Sequence, residues 1–168
     1  MGVVEAFLLG LVQGLTEFLP VSSSGHLELG KALMGVEEGG LAFSVVVHGA
    51  TAMSTIVVFR KDIQGLLMGL VSRGEDGDVA RQFAGLVLLS MAPLAAVYYS
   101  FKDLIEDRLD GHLGAVGWAL LLTSGLLFWA QKKGRTGGRV GPLQAFVIGC
   151  AQAVAVLPGI SRSGATIS

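Results

Sequence analysis

Apolar residues gather into five stretches, at about Val3 to Leu19, Leu41 to Phe59, Phe83 to Ser100, Gly114 to Ala130 and Leu143 to Leu157. A helix that crosses a bilayer needs about 20 consecutive, mostly apolar residues. The three middle stretches meet that requirement and predict full transmembrane helices. The first and last are shorter, carry Gln13, Thr16, Glu17 and Gln152, and run straight into Pro, Gly and Ser clusters. Irregular backbone at membrane depth is tolerated only where protein or a water-filled cavity satisfies its polar groups. These two segments therefore predict re-entrant helix-turn elements rather than simple spans.

Composition agrees. Apolar residues make up 52% of the chain and charged residues 15%, with a mean hydropathy of +0.66, whereas soluble domains carry about a quarter charged residues. That excludes an ordinary soluble domain and a disordered or low-complexity chain. The net charge of −1 and the lack of a long Lys or Arg run exclude a nucleic-acid partner. Cys150 stands alone, which rules out a disulfide framework and a cysteine-based zinc site. Residues 1–19 lack a basic leader and a small-residue cleavage site, so they are read as part of the fold. Gly10 with Gly14 and Gly65 with Gly69 have a spacing suited to helix contact, and Pro93 is expected to kink its span. Trp118, Trp129, Tyr98 and Tyr99 are expected at membrane interfaces.

Lys and Arg set orientation. Arg60, Lys61, Arg73 and Arg81 in the 60–82 connection, and Lys132, Lys133, Arg135 and Arg139 in the 131–142 connection, predict that both face the cytoplasm. The acidic 101–113 connection, with Asp103, Glu106, Asp107 and Asp110, is then expected outside.

A shift of 139 residues lays AFLLGLVQGLTEFLPVSSSGH over AFVIGCAQAVAVLPGISRSGA. Identities fall at Ala6/Ala145, Phe7/Phe146, Gly10/Gly149, Gln13/Gln152, Ser22/Ser161, Ser24/Ser163 and Gly25/Gly164, with Pro20 and Pro158 one position out of register. Three spans between the copies make the second enter from the opposite face, an inverted-topology repeat whose Ser-rich turns should meet near mid-membrane. The expected fold is all-α: one integral membrane domain with a re-entrant segment in 1–40, three transmembrane spans over 41–130, and a second repeat beginning at 143–168. Because nothing after Ser168 matches the spans that follow the first copy, the chain reads as the front of a longer, C-terminally truncated protein, with about 100 further residues needed to complete the duplication.

Chemistry concentrates in the two turns. Gln13 and Glu17 share a helix face at i and i+4, followed by Ser22, Ser23, Ser24 and His26. A carboxylate at the centre of a span costs roughly 2.5–3.5 kcal/mol or more, so Glu17 needs a partner, a cavity or a metal. His26 stands where an imidazole can serve as general base or nucleophile. In the second turn, Arg162 lies between Ser161 and Ser163, with Thr166 beyond, and its planar fork suits phosphate oxygens. A structural ion pair between Glu17 and Arg162 is a competing use of both charges. His48 lies within a span, where it either lines the same cavity or bonds a helix backbone, and His112 reads as a loop residue.

With these residues in view, the chain resembles the bacterial undecaprenyl-diphosphate phosphatases, the bacitracin-resistance proteins. The resemblance rests on Gln13 to Glu17 running into PVSSSGH, and on PGISRS followed by Thr166. It implies a multi-pass enzyme of the bacterial inner membrane that hydrolyses undecaprenyl diphosphate to undecaprenyl phosphate and phosphate, recycling the carrier for cell-wall synthesis. It also implies a divalent metal, Mg or Ca, with Glu17 handling metal or water. Ser23 and His26 are then candidates for nucleophile and base, in an order left open, and Arg162 holds the diphosphate. Ser22, Ser24, Ser161, Ser163, Thr166 and Gln13 complete the substrate-binding set. Gln13 is one of two residues the motif permits there, and it supplies one carboxylate fewer to a metal than its alternative. The implied partners are a polyprenyl diphosphate lipid and the membrane, and a homo-oligomer is allowed. The competing class is an inverted-repeat transporter or flippase that binds a phosphate-bearing lipid or anion without cleaving it.

Overall fold

The computed structural model describes residues 1–36, 41–109, 112–133, 138, 140–156 and 159–167, without the side chains of 41, 102–109 and 133. The described residues form eight helices and no strand: α1 (Val3–Thr16), α2 (Ser23–Leu33), α3 (Leu41–Val58), α4 (Arg60–Val71), α5 (Glu75–Leu109), α6 (Leu113–Lys133), α7 (Pro142–Val154) and α8 (Arg162–Ile167). Most large apolar side chains point outward, among them Phe7 (69% exposed), Leu88 (68%) and Trp118 (75%). An apolar surface this extensive belongs in lipid rather than water. Small residues such as Ala145, Ala153 and Ala155 make up much of the buried set, which lets the helices approach closely.

Two helices, within Glu75–Phe101 and Leu113–Lys132, are long and apolar enough to cross a membrane, and a third span exists if a bent pair is counted as one. The stretch expected to span at 41–59 is the helix α3, which meets the length and hydropathy of a span only together with α4. Ala42–Val58 and Arg60–Val71 meet at 73°, because the chain breaks at Phe59 as the charged Arg60, Lys61 and Asp62 arrive. Arg60 turns back to donate from Nη1 to the Val57 carbonyl at 2.8 Å.

The 60–82 connection is helical rather than a loop. Helix α4 turns at Gly74 (φ +97°) into α5. Arg81 stitches the corner, donating from Nη1 to the Ser72 carbonyl at 2.9 Å and from Nη2 to Asp78 at 2.7 Å. A cation beside the last carbonyls of a helix complements its dipole. A Cβ on Gly69 would lie 2.7 Å from that of Ala80, so Gly69 makes the predicted close contact, whereas Gly10, Gly14 and Gly65 meet no atom within 4 Å. The 101–113 connection also shrinks, because α5 continues to Leu109. The side chains of Asp103, Glu106, Asp107, Asp110, Lys133, Arg135 and Arg139, with Leu157, Pro158, Ser168 and residues 37–40, lie outside the described set.

The first and last apolar stretches are short helices, as their lengths predict. With 14 residues, α1 is about 21 Å long, short of the roughly 30 Å hydrocarbon core. Helix α7 has 13 residues and starts on Pro142, whose missing N–H costs nothing at a first helical position. Helices α1 and α2 fold against each other with Leu9 and Leu27 buried, and a Cβ on Gly30 would approach Leu9 Cδ2 to 2.9 Å. Pro93 lies inside α5, and Gly149 of α7 fits against it: a Cβ there would sit 2.4 Å from the Ser90 carbonyl oxygen and 3.0 Å from the Pro93 ring.

Candidate active site

The chain leaves α1 at Thr16 and turns at Pro20, and Ser22 caps the N-terminus of α2, its Oγ accepting from Gly25 N at 3.4 Å. Ser22 has φ +66°, the one positive value at a non-glycine residue among those described. Such a conformation costs of order 1–3 kcal/mol and persists only when surroundings enforce it. Here the enforcement is visible. The buried Ser22 carbonyl accepts from His26 N at 3.2 Å and from His26 Nδ1 at 2.9 Å. A carbonyl can only accept, so His26 carries its proton on Nδ1.

The second turn repeats the arrangement. Ser161 Oγ accepts from Gly164 N at 3.0 Å, and the Ser161 and Ser163 hydroxyls lie 3.1 Å apart, as Ser22 and Ser24 do at 3.3 Å. The aligned serines thus perform the same local task. The turns also touch reciprocally. A Cβ on Gly25 would come 3.3 Å from Gly159 Cα, and one on Gly164 would come 3.1 Å from the Pro20 carbonyl oxygen. Each glycine makes room for the opposite turn.

Thr123, a buried hydroxyl in the apolar α6, anchors the second turn. Its Oγ1 accepts from Ser161 N at 3.1 Å and donates to the Gly159 carbonyl at 3.4 Å. Its one signal in the sequence is a hydroxyl inside a span. Gly159 completes the anchor with φ +93°, and a Cβ there would lie 2.7 Å from Ala119 Cβ and 2.9 Å from the Val116 carbonyl oxygen. Gly159→Ala is therefore expected to cost about 2–4 kcal/mol, from left-handed backbone and overpacking together. Thermal unfolding in detergent reads the loss, with Gly125→Ala, which meets no atom within 4 Å, as the control. A Gly159→Ala midpoint equal to the wild-type value would remove the anchoring role.

Between the turns lies a cleft of about 290 Å³, lined by Thr16, Glu17, Leu19, Ser22, Ser23, Ser24, His48, Ile160, Ser161, Arg162 and Ser163. The expected meeting of the two turns is what this lining describes, and it brings together most of the predicted residues. Glu17 Oε2 accepts from Gln13 Nε2 at 2.9 Å and from the Ser23 hydroxyl. Hydrogen bonds to a charged group contribute about 1.5–3 kcal/mol each, enough to offset the cost of a carboxylate at depth. Arg162 is exposed to the cleft, and among the described residues no ion pair joins it to Glu17.

Three predicted residues stand outside this lining. Gln13 is fully buried behind Glu17, which it orients. His26 holds the Ser22 carbonyl instead of facing the cleft. The Thr166 hydroxyl donates within its own helix, to the carbonyls of Arg162 at 3.0 Å and Ser163 at 3.1 Å. His48 and Thr16 replace them on the walls.

Comparison with known proteins follows the same outline. The chain is 49% identical over its whole length to a protein of Christiangramia forsetii, covering 64% of that protein. It is 48% identical to one of Bacteroides thetaiotaomicron, again over the whole chain and 64% of the relative. A third, from Syntrophotalea carbinolica, is 40% identical over the whole chain and 65% of its own length. All three are named undecaprenyl-diphosphatase, and the chain spans about 64% of the length of the first two. The family model described as "Bacitracin resistance protein BacA" matches residues 6–168, both Ser-rich turns included, and the chain belongs to that family.

Proposed function

We propose that the protein carrying this chain hydrolyses undecaprenyl diphosphate to undecaprenyl phosphate and inorganic phosphate, in the bacterial inner membrane, as one multi-pass domain built on an inverted repeat. The observation that carries this reading is the Glu17–Ser23 hydrogen bond on a cleft that also presents Arg162. A carboxylate bonded to a hydroxyl is a base beside a nucleophile, and a guanidinium is the side chain best matched to phosphate oxygens. A transporter that only binds the anion gains nothing from the first pairing.

In this mechanism Arg162 and the N–H groups at the start of α2 receive the diphosphate, whose charge suits a helix N-terminus. Ser23 Oγ attacks the terminal phosphorus and gives its proton to Glu17 while the anhydride P–O bond breaks, releasing undecaprenyl phosphate. Water then attacks the phosphoserine. Glu17 returns the proton to Ser23 Oγ, and the proton lost by water leaves with inorganic phosphate. His26 acts through backbone, holding the strained Ser22 beside the nucleophile. Donors aimed at developing charge in a site with little water supply much of the rate enhancement.

A divalent cation fits the residues present. Gln13 Oε1 is a buried oxygen with no hydrogen-bond partner, next to the Glu17 carboxylate, and these are the hard donors that Mg or Ca prefers. Among the described residues no group of three His, Cys, Asp or Glu side chains could hold a metal, so Glu17 would be the one charged protein ligand. When bound, the metal supplies positive charge against phosphate oxygens. The Lys and Arg distribution supports cytoplasmic placement of the 60–82 and 131–142 segments and access to the first turn from outside.

The test is phosphate release from undecaprenyl diphosphate by the purified full-length protein in detergent with Mg or Ca. Steady turnover is expected. Transfer of the lipid between leaflets of a vesicle without phosphate release would instead establish the transporter reading.

A further inference from the structure

His48 belongs to neither Ser-rich turn, yet among the described residues it is the one that α3 contributes to the cleft. Its Nδ1 donates to the Ser44 carbonyl one helical turn back, at 2.8 Å. That bond fixes the ring and commits Nδ1, leaving Nε2 as the nitrogen available to a ligand. Among the described residues no hydrogen bond engages Nε2. The charged side chains on the cleft are Glu17, just beyond the end of α1, and Arg162 of α8, so α3 brings a third ionisable group to a wall that neither motif supplies. An imidazole at membrane depth with one nitrogen anchored and the other unused is better explained by a ligand than by packing.

We propose that His48 is a substrate-binding residue whose Nε2 hydrogen-bonds a phosphate group of the bound diphosphate. This inference rests on the proposed hydrolysis for the identity of the ligand and on the cleft lining for its geometry. The role needs a hydrogen-bonding group at that reach and needs no proton transfer, which sets a specific requirement on replacements. Glutamine, whose terminal amide both donates and accepts on a side chain of similar length, should substitute. Alanine and phenylalanine, which offer no hydrogen-bonding group, should not.

The experiment measures pyrophosphate affinity by calorimetry, and KM and kcat for undecaprenyl diphosphate, on the full-length protein in detergent. For His48→Ala, Kd and KM are expected to rise about tenfold with kcat within threefold of wild type; one lost hydrogen bond of about 1.4 kcal/mol gives that factor. His48→Phe keeps a ring in the site and should match His48→Ala, so a packing defect alone cannot produce the result. His48→Gln should stay within threefold of wild type in all three quantities. Unchanged Kd in both His48→Ala and His48→Phe would overturn the assignment, as would a His48→Gln protein as impaired as His48→Ala. If the wild-type protein binds pyrophosphate through His48 and releases no phosphate from the lipid, hydrolysis fails while this contact stands.

Discussion

Glu17→Gln is expected to lower phosphate release by about 10³-fold while the protein unfolds at the wild-type temperature. Glutamine keeps the side chain's volume and can still meet Gln13 and Ser23, the two residues whose donors converge on Glu17 Oε2. What it loses is the capacity to take a proton from the Ser23 hydroxyl, and a positioned general base contributes about 10²–10⁴ in rate. Glu17→Ala should be at least as inactive. Turnover within tenfold of wild type in Glu17→Gln, measured as phosphate released per mole of full-length protein, would take the carboxylate out of the chemistry.

Arg162→Ala carries the second large effect, a loss of about 10³ or more in kcat/KM, by analogy with arginines that neutralise charge in phosphoryl transfer. Arg162 lines the cleft, and its removal takes away the one guanidinium among the residues that line it. Arg162→Lys separates charge from shape. Lysine restores a cation without the planar fork, so it should recover only part of the loss, about tenfold to a hundredfold. Equal activity of the lysine variant and the wild type would mean that charge alone is recognised at this position.

The parts of the site that the sequence made legible are those where chemistry contradicts its surroundings. Glu17 in an apolar run, and Arg162 in a glycine-bounded turn, stand out because burial of charge demands a reason. The repeat was legible because identical serines perform identical capping tasks, Ser22 and Ser161 each accepting from a glycine three residues on. Helix phase was not legible in the same way. His26 follows the serine cluster closely, but its position on α2 turns it back to the Ser22 carbonyl, whereas His48, far away in sequence, faces the cleft from α3. Nothing in a one-dimensional pattern distinguishes those two orientations.

The helical course of 60–82 was obscured by its charges. Arg60, Lys61 and Asp62 read as the end of a span, yet they open a new helix at 73° to the old one. Thr123 was hidden for a different reason. A lone threonine in an apolar helix can return its hydroxyl to its own backbone, as Thr51 and Thr55 do, so its long-range bonds to the second turn emerge only from the packing.

The mutual seating of Gly25 against Gly159 and of Gly164 against Pro20 has a bearing on assembly. Segments more than 130 positions apart in the chain are each other's mould, so the early turn cannot settle into its working shape during synthesis until the late one has been made and inserted. Loop closure over such a distance is slow compared with local helix formation. The cleft between the turns is therefore completed late, after the individual helices have already formed.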